Sequence, residues 1–238
     1  MKKIGLVGGI GPASTVNYYL GLIEKVKAEF GENTYPEIVI DSVNLDYATK
    51  CFINREDEKS VELMVRIVSN LQAAGAQIAA ITANTEHILW DKMKKDFDIP
   101  VISIVDAAVE EICTRKFKRV LVLGTVFTMR SGLYEKPFKS HGITLVLPSA
   151  EEQEIIGDLI YPNLENGIVI SNDRKRMLEI AEKYIEMYDA EAVLLGCTEI
   201  ALAIKSGDLS VPVLDTTAIH IKAIFEAAEM PTRESKVN

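Results

Sequence analysis

The sequence predicts an α/β fold of two pseudo-symmetric domains, each a parallel-rich sheet flanked by helices, with an active site in the cleft between them. Two observations carry this. Short apolar runs alternate with amphipathic segments along the chain, the order that builds parallel sheets covered on both faces. One strand-turn-helix unit also occurs twice, as Ala76-Gln77-Ile78-Ala79-Ala80-Ile81-Thr82-Ala83-Asn84-Thr85-Glu86 and as Ala190-Glu191-Ala192-Val193-Leu194-Leu195-Gly196-Cys197-Thr198-Glu199-Ile200. Seven residues on from the first Ala stands Ala83 in one copy and Cys197 in the other.

Ile4–Val7 is an uncharged run closed by Gly8-Gly9 and reads as a strand buried on both faces. Ser14 is a candidate N-cap for an amphipathic helix through Tyr18, Leu20, Ile23 and Val26. Ile38-Val39-Ile40 is the second strand. From Asp57 to Ala74, apolar residues fall at helical spacing, and Gly75 supplies the stop. The first repeat strand follows, then a helix through Ile88, Leu89 and Met93, then a strand opened by Pro100.

The order then begins again. Lys118-Arg119-Val120-Leu121-Val122-Leu123-Gly124-Thr125 resembles Lys2-Lys3-Ile4-Gly5-Leu6-Val7-Gly8-Gly9 in residue type. Thr128 is the expected cap of the next helix, 143–147 a strand, 151–164 and 174–188 helices. The second repeat strand ends at Cys197, and the chain closes with Asp215-Thr216-Thr217 and an apolar helix through Ile219, Ile221, Ile224 and Phe225. The expected division is residues 1–99 plus 212–238 for one domain and 100–211 for the other, with a polar tail after Met230.

Composition narrows the function. The chain has 238 residues, 48% apolar and 26% charged, and a net charge of −9. That balance argues against nucleic acid, whose phosphates need clustered Lys and Arg. The densest basic run, Arg115-Lys116-Phe117-Lys118-Arg119, reads as a solvated helix end. Three scattered cysteines make neither a disulfide framework nor a zinc site. No segment reaches the roughly 18 to 20 apolar residues of a membrane span. The N-terminal apolar run is too short for a signal peptide, so a cytoplasmic protein with reduced thiols is expected.

In open parallel sheets, ligands bind beyond the carboxyl ends of the strands. Four strand ends here carry small or hydroxylic residues: Gly8-Gly9, Ala83-Asn84-Thr85, Gly124-Thr125 and Gly196-Cys197-Thr198. Packed face to face, they meet in one cleft and offer free backbone N–H groups to a small anion. Gly8-Gly9-Ile10-Gly11-Pro12-Ala13-Ser14 is not a dinucleotide fingerprint, because Ser14 stands at the third glycine and Pro12 intrudes. Cys197, at a strand end and a helix start, has its thiolate favoured by the helix dipole. A small buried cysteine is the common alternative. The flanking Gly196 and Thr198-Glu199, with the repeat, favour the reactive reading.

Gly-Cys-Thr-Glu-Ile at 196–200, Ala-Asn-Thr at 83–85 followed by His87, Val7-Gly8-Gly9, Gly-Thr-x-x-Thr-Met at 124–129 and Asp-Thr-Thr-x-x-His at 215–220 together resemble the aspartate/glutamate racemase family. The resemblance covers essentially the whole chain. It implies two α/β domains, catalysis without pyridoxal phosphate or any other cofactor or metal, and two cysteines flanking the α-carbon of an amino acid. One thiolate removes the proton and the opposite thiol delivers one, with roles exchanged for the other enantiomer. The site residues so implied are Cys197 and position 83 for catalysis. Gly9, Ile10, Asn84, Thr85, Thr125, Thr128, Thr198 and Glu199 are implied for substrate binding, with backbone N–H groups near Asn84, Thr85, Thr198 and Glu199 stabilising the enolate. The family is commonly dimeric, so a homodimer is expected.

The sequence departs from this pattern at Ala83, which has no proton to exchange. Thr82 points to the opposite face of its strand and does not replace it. The chain is therefore an engineered cysteine-to-alanine racemase, a member in which water or another hydroxyl serves the second face, or an enzyme of one-sided chemistry like the related arylmalonate decarboxylases. The favoured reading is a racemase with its first cysteine replaced and weak or no racemisation. A small-dicarboxylate binding module is the non-enzymatic alternative. Aspartate-specific relatives place basic residues where this chain reads Asp46-Tyr47-Ala48 and Leu164-Glu165-Asn166, so glutamate or a broader set is as plausible as aspartate. Glu199 either caps its helix or positions Cys197. His87 and His220 either orient ligand or pack at helix starts. Thr125 and Thr128 either bind carboxylate oxygens or cap.

Overall fold

Two four-stranded parallel sheets with the same strand order form the frame of the computed structural model, which describes residues 1–229. The first half runs β1 (Ile4–Gly8), α1 (Pro12–Phe30), β2 (Ile38–Ser42), α2 (Leu45–Ile53), α3 (Asp57–Ala73), β3 (Ile78–Ile81), a 3₁₀ turn Thr85–Leu89, α4 (Trp90–Met93) and β4 (Val101–Ile102). The second runs α5 (Ile104–Thr114), β5 (Arg119–Gly124), α6 (Val126–Arg130), α7 (Glu135–Ser140), β6 (Thr144–Val146), α8 (Ala150–Ile160), a 3₁₀ turn Leu164–Asn166, α9 (Ser171–Tyr188), β7 (Ala192–Gly196), α10 (Ile200–Ala203) and β8 (Val213–Asp215). α11 (Thr216–Ala228) closes the described chain. The polar tail expected after Met230 lies outside the described residues.

The sheet orders are β2-β1-β3-β4 and β6-β5-β7-β8. β3 and β7 therefore hold equivalent interior places, as the sequence repeat requires. Every residue of β1, β3 and β7 is buried, because helices cover both faces. In the first half Leu63, Ile67 and Leu71 of α3 pack against one face. Tyr18 and Leu22 of α1, with Ile221, Ile224 and Phe225 of α11, pack against the other. In the second half α8 and α9 cover one face through Ile156, Ile180 and Tyr184. α5 and α7 cover the other through Ile104, Ile112 and Phe138. The last helix thus returns to the first half, and α5 and α11 pack together at the junction.

Several expectations need correction. Val101 pairs with Ala79, and Val213 pairs with Val193. The junctions at 99/100 and 211/212 therefore fall one strand early: the crossings follow β4 and β8. These strands are two and three residues long, too short to announce their sheet from sequence. α1 starts at Pro12 with Gly11 at its N-cap. Proline suits a first helical position because its missing N–H would have no partner there. Ser14 sits inside the helix instead and donates to the Thr82 carbonyl at 3.1 Å. The helix through Ile88, Leu89 and Met93 is broken into 3₁₀ and α turns, and 151–164 ends at Ile160 with a separate turn beyond.

Candidate active site

The four predicted strand ends meet around one cavity between the halves. Ile10 and Gly11 reach it from the β1 end, Ala83, Asn84 and Thr85 from β3, Thr125 and Thr128 from β5, and Gly196 through Glu199 from β7. The predicted residue that does not line it is Gly9. Its φ is +84°, and a Cβ there would lie 2.5 Å from the Val43 carbonyl oxygen, so only glycine fits. Its amide donates to Thr15 Oγ1 at 2.9 Å. Gly9 shapes the turn that presents Ile10 and Gly11.

Cys197 follows the last residue of β7 and is buried. Its thiol donates to Glu199 Oε2 at 3.1 Å, and Thr198 Oγ1 donates to the same oxygen at 2.7 Å. Glu199 also reaches across the cleft: a Cβ on Gly11 would stand 3.0 Å from its Oε1. Of the two readings for Glu199, the geometry gives contact with the thiol; its side chain makes no cap bond to α10. The thiol is pushed well up from its ordinary value, first by burial, then by the charge and hydrogen bond of Glu199. The amides of Glu199 and Ile200 oppose this and lose. This overturns the expected dipole-lowered thiol, because α10 is a single turn and the nearest charge is a carboxylate.

Ala83 faces the same cavity from the equivalent loop of the first half. Thr82 Oγ1 donates to the Val7 carbonyl at 2.8 Å and does not line the cleft, so it offers no hydroxyl in place of a thiol. His87 and His220 are packed rather than ligand-facing. His87 Nδ1 bonds the Ala83 carbonyl at 2.9 Å, and its Nε2 accepts from the Ile104 amide at 3.4 Å, which defines a neutral tautomer. Burial holds it down to about 4. His220 lies between the Tyr18 hydroxyl at 2.8 Å and the Ile102 carbonyl at 2.9 Å, and burial holds it down to about 3.

Thr125, not Thr128, caps α6: its Oγ1 accepts from the Thr128 amide at 3.1 Å. The two hydroxyls lie 3.1 Å apart and both border the cavity. Sequence reasoning missed four lining residues outside the strand ends: Leu45 of α2, Ile160 at the end of α8, and Tyr161 and Glu165 beyond it. Tertiary packing alone brings them here, and of the four only Glu165 lies in a stretch that the sequence singles out. Glu165 is raised from the usual carboxylate range by burial first and the Glu199 charge second.

Among the described residues no group of three or more His, Cys, Asp or Glu is placed to hold a metal ion, and no helix is long and apolar enough to cross a membrane.

Duplicated parallel sheets with a thiol in the interlobe cleft define a two-lobed α/β enzyme class that acts on small molecules between its halves. The chain matches the family model described as Asp/Glu/Hydantoin racemase over residues 7–224, and it belongs to that family. It is similar to an aspartate racemase homologue from Pyrococcus horikoshii OT3, with 38% identity, TM-score 0.84, and coverage of 96% of this chain and 99% of that one. A Picrophilus torridus aspartate racemase shares the fold at 24% identity and TM-score 0.74, covering 95% of this chain and 94% of that one. The broad specificity amino-acid racemase RacX of Bacillus subtilis is 21% identical over 92% of this chain and 95% of its own length. The chain spans 56% of the length of the Aquifex aeolicus glutamate racemase, at 26% identity over 152 residues.

Proposed function

We propose that this chain performs cofactor-independent proton transfer at the α-carbon of an amino acid, with Cys197 as acid and base on one face and no thiol on the other. The carrying observation is that Cys197 and Ala83 follow equivalent strands of the two sheets and border one cavity.

The chemistry follows from the contacts. Glu199 takes the thiol proton through the bond it already accepts, leaving a thiolate beside a protonated carboxyl. The thiolate removes the Cα proton, and the electron pair moves into the substrate carboxylate as an enediolate. The hydroxyls of Thr125, Thr128 and Thr85 border the cavity and can donate to that charge, while the amides of Glu199 and Ile200 face the Cys197 sulfur. The Cys197 thiol exchanges that proton with solvent and returns one to the same face. Inversion needs a donor on the opposite face, where Ala83 has none, so racemisation is slow beside exchange.

The test is deuterium exchange. In deuterium oxide the protein incorporates deuterium at Cα of one enantiomer with retention, and Cys197→Ser abolishes it. Exchange that persists in Cys197→Ser, with folding intact by circular dichroism, removes Cys197 from the chemistry. Absence of exchange with every amino acid, when binding is measurable, leaves a binding module instead.

A further inference from the structure

We propose that the cleft selects an amino acid with a cationic side chain, an amine or guanidinium, and that Glu165 is the residue that selects it. This rests on the reading above that the ligand is an amino acid.

Two charged side chains border the cavity, Glu165 and Glu199, and no Lys, Arg or His does. Glu199 is occupied by the Cys197 thiol and the Thr198 hydroxyl. Glu165 is half-buried, and its carboxylate has no ion pair or hydrogen bond among the described residues. It is nonetheless held in place. It sits in the 3₁₀ turn Leu164–Asn166, anchored by buried Leu164 and ended by Gly167 in the left-handed region. Tyr161 of the same segment also lines the cavity. A carboxylate beside an aromatic ring is a site that complements a cation on two counts, by ion pairing and by the face of the ring.

Every amino-acid ligand brings an α-ammonium and an α-carboxylate that offset each other; an acidic side chain adds a further carboxylate to a space already holding two, with no side-chain cation to pair it. A neutral one would cover Glu165 and leave it unpaired, which a desolvated carboxylate resists. A cationic one pairs it. The burial and mutual repulsion that raise Glu165, Tyr161 and Cys197 agree with a cavity lacking a cation.

Calorimetric titration of the wild-type protein with lysine, its neutral isostere norleucine, and glutamate tests this directly. Lysine is expected to bind about tenfold more tightly than either. Glu165→Gln removes that advantage from both sides, weakening lysine and strengthening norleucine, which no longer covers an unpaired carboxylate, and Glu165→Lys reverses the order of lysine and glutamate. Glutamate binding as tightly as lysine, equal weakening of all three by Glu165→Gln, or no binding at all overturns the proposal. The two readings fail separately. Preferential lysine binding without Cα exchange leaves the selectivity standing and sinks the racemase chemistry. Cα exchange with glutamate but not lysine does the reverse.

Discussion

The Tyr134 hydroxyl donates to Asn84 Oδ1 at 2.6 Å, tying the loop beside Ala83 to the opposite half of the molecule. Asn84 Nδ2 passes the chain on to Thr216 Oγ1 at 3.2 Å, and that hydroxyl donates to the Leu195 carbonyl at 2.7 Å. Leu195 stands two residues before Cys197. One buried relay thus links the loop that carries Ala83 to the strand that leads to Cys197. Tyr134→Phe leaves the Asn84 acceptor buried without its donor and is expected to cost about 1–3 kcal/mol. Urea denaturation measures it, and a change below about 0.5 kcal/mol shows that the bond does not join the halves.

Burial raises the Cys197 thiol first, and Glu199 adds to the shift. Its negative charge favours the protonated thiol, so Glu199→Gln lets Cys197 ionise at lower pH than in the wild type. Alkylation by iodoacetamide as a function of pH reads the midpoint directly. The measurement is made with Cys51 and Cys113 replaced by serine, since both are free thiols. An unmoved or higher midpoint contradicts the assignment.

Glu86 gives the fold a second pH signature. Its Oε2 is buried with no partner, and burial raises it from 4.5 to about 7. A group raised on folding contributes stability that is full below its unfolded value and lost as pH rises through its folded value. Glu86→Gln does not titrate, so its stability relative to wild type should rise between pH 4.5 and about 7 and then level. His87 and His220 act in the opposite sense. Their ordinary 6.5 is depressed to about 4 and about 3, so their contribution is present above pH 6.5 and lost as pH falls. Both histidines remain in the variant and cancel in the difference. A flat difference across that window contradicts the buried carboxyl.

The repeat made the two sheets and the Ala83–Cys197 equivalence legible, because a fully buried strand leaves an unbroken apolar run and its end is marked by small residues. Local chemistry was harder to read. Thr125 and Thr128 are both capping types, and only the backbone decides that Thr125 caps. Gly9 resembles a ligand-binding glycine, yet the crowding of Val43 explains it. The acidity of Cys197 depends on its burial and then on a carboxylate two residues away, both set by the fold. Tyr161 and Glu165 enter the cleft from beyond α8, which no local pattern announces.

Ala83→Cys places a second thiol opposite Cys197 and probes the proposed one-sided chemistry. In deuterium oxide, the ratio of inversion to Cα exchange is measured for both enantiomers of an amino acid that the protein binds. Exchange with retention is expected in the wild type. In Ala83→Cys, inversion should rise by about 100-fold or more, the scale of one positioned acid–base group. A wild-type protein that already inverts as fast as it exchanges, or an Ala83→Cys variant whose inversion is unchanged, would contradict one-sided chemistry.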